Sequence, residues 1–381
     1  MKQDIWRYCA QHLSRARPDH PVWYFHPAVL QATARRFQKG FPGLVTYAVK
    51  ANPAPEVLDN LVAAGITTFD VASPAEMRMV RAALSDAVLH YNNPVRSVDE
   101  VAMAVRLGVA SYSIDGFTEL RKLAPIPDGT EVAVRVRLPV KGAAYDFGEK
   151  FGAEPDEAVH LLREVAARGY VPSMTFHPGT QCPDPAAWAH YVGACGEVAR
   201  TAGITLHRLN VGGGFPARRS MDRLSLKPIH EAIRAATAQA FRPRPALVCE
   251  PGRAMVAEAY TLALRIKVVR DDGSIFLNDG IYGALSEMRD IGPVHRLRVM
   301  SPKGIRRRGK PGDRVIFGPT CDSLDRLPHP LPLPDDLAEG DYVLIEGMGA
   351  YGAAIATRFN GYGESETITV TQTTGQGPDE G

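Results

Sequence analysis

Lys50 closes the run Val45-Thr46-Tyr47-Ala48-Val49, and an Asn52-Pro53 turn follows at once. The run reads as a buried strand entering a turn. A lysine at the carboxyl end of such a strand must reach a site or find a partner, because burying its charge alone is too costly. Such an amine loses its proton readily and condenses with carbonyl compounds. The competing reading is a strand-end lysine that turns to solvent. Other polar residues end apolar runs in the same way: Asp70, Asn92, Asp115, Arg135 or Arg137, His177, the triplet Gly212-Gly213-Gly214, and Glu250. The glycines let backbone N–H groups approach an anion. Arg253, in Glu250-Pro251-Gly252-Arg253, adds a guanidinium suited to bidentate phosphate contact. Taken singly, Asp70, Asn92 and Asp115 are equally natural helix caps, and a strand-end histidine is more often a hydrogen-bonded core residue.

These residues need elements that bring them together. Short apolar strands are predicted at 44–49, 67–71, 87–91, 110–114, 131–138, 170–176, 206–211 and 245–249, with helical patterns between most of them. Several helices open on proline and stop near Gly65, Gly108, Gly169 or Gly203. Eight strands alternating with helices over about 220 residues fit a (β/α)8 TIM-type barrel, whose chemistry sits at the carboxyl ends of the strands. An open doubly wound sheet would want its glycine-rich turn after the first strand, where this chain has Lys50. After about residue 257 strand-like runs at 257–269, 274–278, 313–317, 341–346 and 367–371 come with Gly/Pro/Asp turns and almost no helix, which predicts a mostly antiparallel β domain. The expected division is a barrel over 27–258, a β domain over 1–26 and 259–374, and a disordered tail over 375–381.

The 381 residues carry a formal net charge of +2, too balanced to suggest nucleic-acid binding, and Arg306-Arg307-Arg308 reads as a solvated loop. Five scattered cysteines without a CxxC pair argue against a disulfide framework or a metal site, and for a reducing compartment. The first residues lack the apolar core of a signal peptide and no apolar run is long enough to span a bilayer, so a cytoplasmic protein is expected. Residues 140–152 form a long glycine-bearing loop, of the kind that serves as a lid.

A phosphate site facing an imine-forming lysine suggests pyridoxal phosphate (PLP), an electron sink. Glu250 would hydrogen-bond its pyridine nitrogen and His177 would stack on its ring. At this point the chain resembles the fold-type III PLP-dependent decarboxylases, nearest the ornithine decarboxylase branch. The likeness rests on Tyr47-Ala48-Val49-Lys50-Ala51-Asn52, Phe69-Asp70-Val71-Ala72-Ser73, Phe176-His177-Pro178-Gly179-Thr180, Gly212-Gly213-Gly214-Phe215-Pro216, Glu250-Pro251-Gly252-Arg253, Gly318-Pro319-Thr320-Cys321-Asp322-Ser323-Leu324-Asp325, Met348-Gly349-Ala350-Tyr351 and Phe359-Asn360-Gly361. It spans about residues 22–362 and implies an alanine-racemase-like barrel with a β domain.

By that resemblance Lys50 holds PLP as an imine, with Asp70 beside it. His177 and Glu250 take the roles above, and Thr180, Gly212, Gly213, Gly214, Arg253 and Tyr351 hold the phosphate. Cys321 returns a proton to Cα after CO2 leaves, Asp322 binds the distal ammonium, and Phe359 and Asp290 border the substrate. Thr180 stands where serine is usual, and the spacing between Asn278-Asp279-Gly280-Ile281-Tyr282-Gly283 and Arg289-Asp290 departs slightly from the family's. Family members are homodimers that share active sites, Cys321 and Asp322 being offered to the neighbouring barrel. The implied reaction is decarboxylation of L-ornithine to putrescine, with lysine, meso-diaminopimelate or carboxynorspermidine as alternative substrates. A remoter alternative is a non-catalytic, decarboxylase-like binding protein.

Overall fold

Leu44–Val45 and Tyr47–Ala48 are the two ends of one parallel sheet, and that single feature makes the sheet a closed barrel. A computed structural model of the chain describes residues 5–138, 150–222 and 224–372. In hydrogen-bonding order the sheet runs from Leu44–Val45 through Ala246–Cys249, Arg208–Asn210, Val171–Thr175, Glu131–Arg135, Ser111–Ile114, Val88–Tyr91 and Thr68–Val71 to Tyr47–Ala48. The 44–48 run is interrupted only at Thr46, whose N–H donates to Cys249 O at 2.9 Å. Thr68 Oγ1 donates to Val45 O at 2.9 Å and so ties the two sides of the seam. The predicted strands are all present, most of them shorter than the apolar runs that announced them.

The strands are parallel with both faces covered, so they read as near-continuous apolar runs. Phe69, Val71, Leu89, Tyr91, Tyr112, Ile114, Val132 and Val134 are all buried. Helices fall where proline opens a first turn, as at Pro55, Pro74, Pro155 and Pro185. Ser97 and Glu100 close a capping box (3.1 and 2.7 Å), and Asp184 caps Pro185–Ala202, which ends on Gly203 at φ 74°. The true caps are Ser73, Ser97 and Asp184, not Asp70, Asn92 or Asp115, whose side chains serve other partners.

The chain divides into two compact units. One holds the described residues of Ala32–Pro216 and Leu224–Met255, the other those of Met1–Gln31, Ala217–Arg223 and Val256–Gly381. The second unit is built on a sheet ordered Leu297–Met300, Tyr342–Glu346, Tyr260–Val269, Val22–Phe25 and Glu366–Thr369. Neighbours are antiparallel except the last pair, Val22–Phe25 with Glu366–Thr369, which is parallel. Cys9, Leu13, Val22, Tyr24, Ala263, Met300, Tyr342 and Leu344 pack together on this sheet. Arg307 is not merely solvated, because its guanidinium makes two bonds (2.8 and 3.0 Å) to the fully buried Asp341. No helix among the described residues is long and apolar enough to cross a membrane. The lid expected over 140–152 falls mostly outside the described residues, as does the tail expected over 375–381.

Candidate active site

Strand ends of the barrel unit carry the first group of residues. Lys50 occupies a single turn of 3-10 helix, Val49–Ala51, directly after Tyr47–Ala48. Val49 and Ala51 are fully buried while Lys50 is exposed, so the turn is anchored on both sides of an outward amine. Tyr47 OH donates to Asn52 O at 3.0 Å, and Asn52 Oδ1 accepts from Ala54 N at 3.1 Å, which fixes the exit of the chain.

Asp70 and Glu250 are both buried. Burial raises the Asp70 carboxyl above its ordinary range, while the Lys50 ammonium and donors from Asn92 oppose the shift. Glu250 is pushed up to about 8, by burial first and by the Asp70 charge second. Its Oε1 accepts from Asn92 Nδ2 at 2.5 Å and also from Asn210 Nδ2. Arg135 lies among these acids. Burial lowers its pKa, and Glu250, Asp115 and Asp70 oppose that shift. Of the two candidate arginines it is therefore Arg135 that faces the strand-end acids, for Arg137 pairs with Glu154 at 3.0 Å. Asp115 accepts from Gly152 N at 3.0 Å, and the Phe151 ring lies 5.1 Å from the Arg135 guanidinium carbon.

His177 is held well below its ordinary pKa by burial and by the Arg135 and Lys50 charges, so its ring is neutral. Nδ1 accepts from Gly179 N at 3.1 Å, which leaves the proton on Nε2. The ring rests on the glycine turn: a Cβ at Gly213 would come within 3.1 Å of Nε2, and one at Gly214 within 3.3 Å of Cε1. Gly212 (φ 68°) and Gly214 (φ 87°) adopt left-handed backbone, and a Cβ there would meet Phe176 O at 2.1 Å and Gly179 O at 2.3 Å. Asn210 sets this turn too, through Gly212 N to its Oδ1 at 2.9 Å. Thr180 follows Gly179 beside the turn, and Arg253 starts a short helix, Arg253–Val256, whose preceding Gly252 is close against Ala51.

The second group lies in the β unit. Cys321 is exposed, and its N–H and Sγ both approach Asn360 Oδ1, at 3.1 and 3.3 Å. Asp322 Oδ2 accepts from Tyr282 OH at 2.5 Å and Oδ1 from Leu324 N at 3.0 Å, two donors that lower its pKa. The Phe359 ring packs 5.0 Å from that of Tyr282. Asp325, buried, accepts from Thr320 N, Thr320 Oγ1 and Ile281 N at 3.1, 2.8 and 2.9 Å, and so ties the loop that bears Cys321 to the one that bears Tyr282. Asp290 is paired with its neighbour Arg289 at 2.7 Å and is bonded to none of these residues. Tyr351 begins Gly352–Ile355 with φ 64°, a strained value for a tyrosine.

Asn92, Asn210, Arg135, Tyr282 and Asn360 thus belong to the two groups without having been assigned roles from sequence. Asn92 and Arg135 gave a signal as strand-end polar residues, and Asn360 stands in the quoted motif Phe359-Asn360-Gly361. Asn210 is a buried polar residue two positions before the glycine triplet, a hint of the same kind.

The barrel group fits PLP. Glu250, a buried carboxyl whose pKa is raised, could give up its proton to a basic ring nitrogen placed against it. A flat neutral imidazole lies on a glycine turn that has no room for Cβ atoms, and an amine follows the strand Tyr47–Ala48. Comparison with known proteins agrees. Residues 28–257 match the family model described as "Pyridoxal-dependent decarboxylase, pyridoxal binding domain". The chain is 33% identical over 340 residues to a chloroplastic ornithine decarboxylase of Nicotiana glauca, covering 85% of this chain and 77% of the relative. It is 32% identical over 333 residues to a lysine/ornithine decarboxylase of Selenomonas ruminantium, covering 85% and 82%. The crystal structure of an arginine decarboxylase from Paramecium bursaria Chlorella virus superposes with a TM-score of 0.85 at 25% identity, covering 94% of this chain and 98% of that one.

Proposed function

Because this chain belongs to the pyridoxal-dependent decarboxylase family and is a PLP-dependent amino-acid decarboxylase, we propose that its substrate is L-ornithine, released as CO2 and the polyamine precursor putrescine. The observation that carries this reading is the pair of donors on Asp322. Tyr282 and the Leu324 amide occupy one lone pair on each oxygen and keep the group anionic. A compact ammonium can still be held on the remaining lone pairs. A guanidinium wants both oxygens of an unencumbered carboxylate side by side, which speaks against arginine. Lysine differs from ornithine by one methylene, worth about 1–3 kcal/mol of discrimination, so a lesser lysine activity is expected beside the main one.

In this reading Lys50 would hold the cofactor covalently and Glu250 would keep its ring nitrogen protonated. His177 would stack on the ring, and Asp70 would stand near Lys50. Thr180, Gly212, Gly213, Gly214, Arg253 and Tyr351 bind the phosphate. The bound cofactor supplies a sink for the electron pair that CO2 leaves on Cα. Cys321 holds a proton at Sγ and delivers it to that carbon. Asp322 orients the far end of the substrate, with Phe359 along its chain and Asp290 the outermost of these groups. We further infer a homodimer in which Cys321 and Asp322 serve the neighbouring barrel, and a reducing, cytoplasmic setting that suits five free cysteines.

Purified holoenzyme offered ornithine, lysine, arginine and meso-diaminopimelate in parallel, with the amine products identified, tests the substrate. Putrescine should dominate. A preponderance of cadaverine or agmatine would overturn the substrate while leaving the cofactor and reaction type standing.

A further inference from the structure

Asn360 has φ 54° and ψ 18°, in the left-handed region that few side chains other than asparagine tolerate. It sits in the turn Phe359–Gly361, closed by Gly361 N to Arg358 O and Tyr362 N to Phe359 O, both 3.1 Å. That turn aims the Asn360 amide at Cys321. The backbone N–H of Cys321, 3.1 Å away, can only donate, so the amide must present its oxygen there and not its nitrogen. The same oxygen is 3.3 Å from Sγ. An oxygen with only lone pairs to offer welcomes S–H and repels a thiolate. Cys321 is also the exposed thiol of the chain; Cys9, Cys182, Cys195 and Cys249 are buried.

We propose that Asn360 is the positioning residue for the proton on Cys321: one amide oxygen, steadied by the backbone N–H, keeps the hydrogen on sulfur and fixes the direction in which it points. The inference rests on the reading of Cys321 as the acid. In the step it serves, the S–H bond breaks and a C–H bond forms from the electron pair that CO2 leaves on Cα. Sulfur keeps its own pair as a thiolate and regains a proton from water before the next turnover.

Asn360→Gly is the informative variant, since glycine keeps the left-handed backbone and removes only the amide. Asn360→Asp keeps an acceptor in place, and Asn360→Ala removes the amide through a residue with a different backbone preference. Holoenzyme of each is treated with iodoacetamide at pH 7, and the rate at Cys321 is read by peptide mapping. The glycine and alanine variants should be alkylated about five-fold faster than the wild type. Their kcat should fall about ten-fold with KM within about two-fold. Asn360→Asp should stay within about three-fold of the wild type in both measurements. Unchanged alkylation and unchanged kcat in Asn360→Gly would overturn the proposal, as would a rise in KM at constant kcat, which marks a binding residue. Cys321→Ala separates the two levels. If it turns over normally, the acid assignment itself falls and this inference falls with it. If it is impaired while Asn360→Gly is not, only the positioning role is lost.

Discussion

Glu250 is the residue on which the barrel's electrostatics converge. Two amides, from Asn92 and Asn210, donate to one of its oxygens, and their positions lie 158 and 40 residues away in the chain. That separation is why neither amide could be assigned from sequence. Lys50, His177 and Glu250 were legible because each ends an apolar run, but a hydrogen-bond partner on another strand leaves no local trace. In the cofactor-free protein Glu250 is protonated up to about pH 8, whereas an unfolded chain gives up that proton near 4.5. Between those values the folded state binds the extra proton, so this group's stabilisation is complete below pH 4.5 and is lost as pH rises through 8. The melting temperature of the cofactor-free wild type, measured relative to Glu250→Gln, should therefore decline across that window. A flat or rising difference would show that the carboxyl is ionised throughout. If Glu250 partners the ring nitrogen as proposed, Glu250→Gln in the loaded enzyme should cut kcat by about a hundred-fold or more, within the range of positioned acid–base groups, with KM little changed.

Between residue and molecule stand the turns and caps that aim these groups. The glycine triplet was readable as an anion turn. What sequence did not carry is how tight it is, because the crowding atoms, Phe176 O and Gly179 O, belong to another strand end. Gly214→Ala should weaken cofactor binding at least ten-fold, read by equilibrium dialysis, because its Cβ displaces the loop under His177 as well as straining the backbone. Away from the rim, Ser97→Ala removes one arm of a capping box and should cost about 1 kcal/mol, lowering the melting temperature by about 2 °C with activity unchanged. Strand ends were the least legible feature. Apolar runs overshoot because parallel strands and their flanking turns are buried alike. In the β unit, Leu297–Met300 lies among arginines and Leu331–Pro334 alternates leucine with proline, so neither announced itself as a strand. Among the described residues the second pairs only with Pro311–Arg314 in a two-stranded ribbon, where prolines are tolerated.

At the scale of the molecule, the barrel unit carries Lys50 and the β unit carries Cys321. A shared-site homodimer makes a sharp prediction. Lys50→Ala and Cys321→Ala should each be nearly inactive alone. Mixed and allowed to exchange subunits, they should recover about a quarter of wild-type turnover, since half of the dimers then hold one intact site of two. Recovery near zero, with exchange verified by mass, would place both residues in the same chain's site. The alternation of strand and helix revealed the barrel at this scale, and the change of texture near residue 257 revealed the second sheet. No periodicity could show which loops of the β unit cluster, because Asp325 gathers them through side-chain bonds to Thr320 and Ile281.

The barrel is sealed by residues 44–48, and Lys50 comes only two positions later. Until that hoop is fastened on both sides, the amine has no fixed address, so a newly made chain should become able to capture the vitamin only once both sides of the joint have formed. Chromophore uptake during refolding then acts as a clock for the last joint of the cylinder. It should lag behind the recovery of helical signal in circular dichroism, and by more when Thr68→Val removes a stitch across the joint.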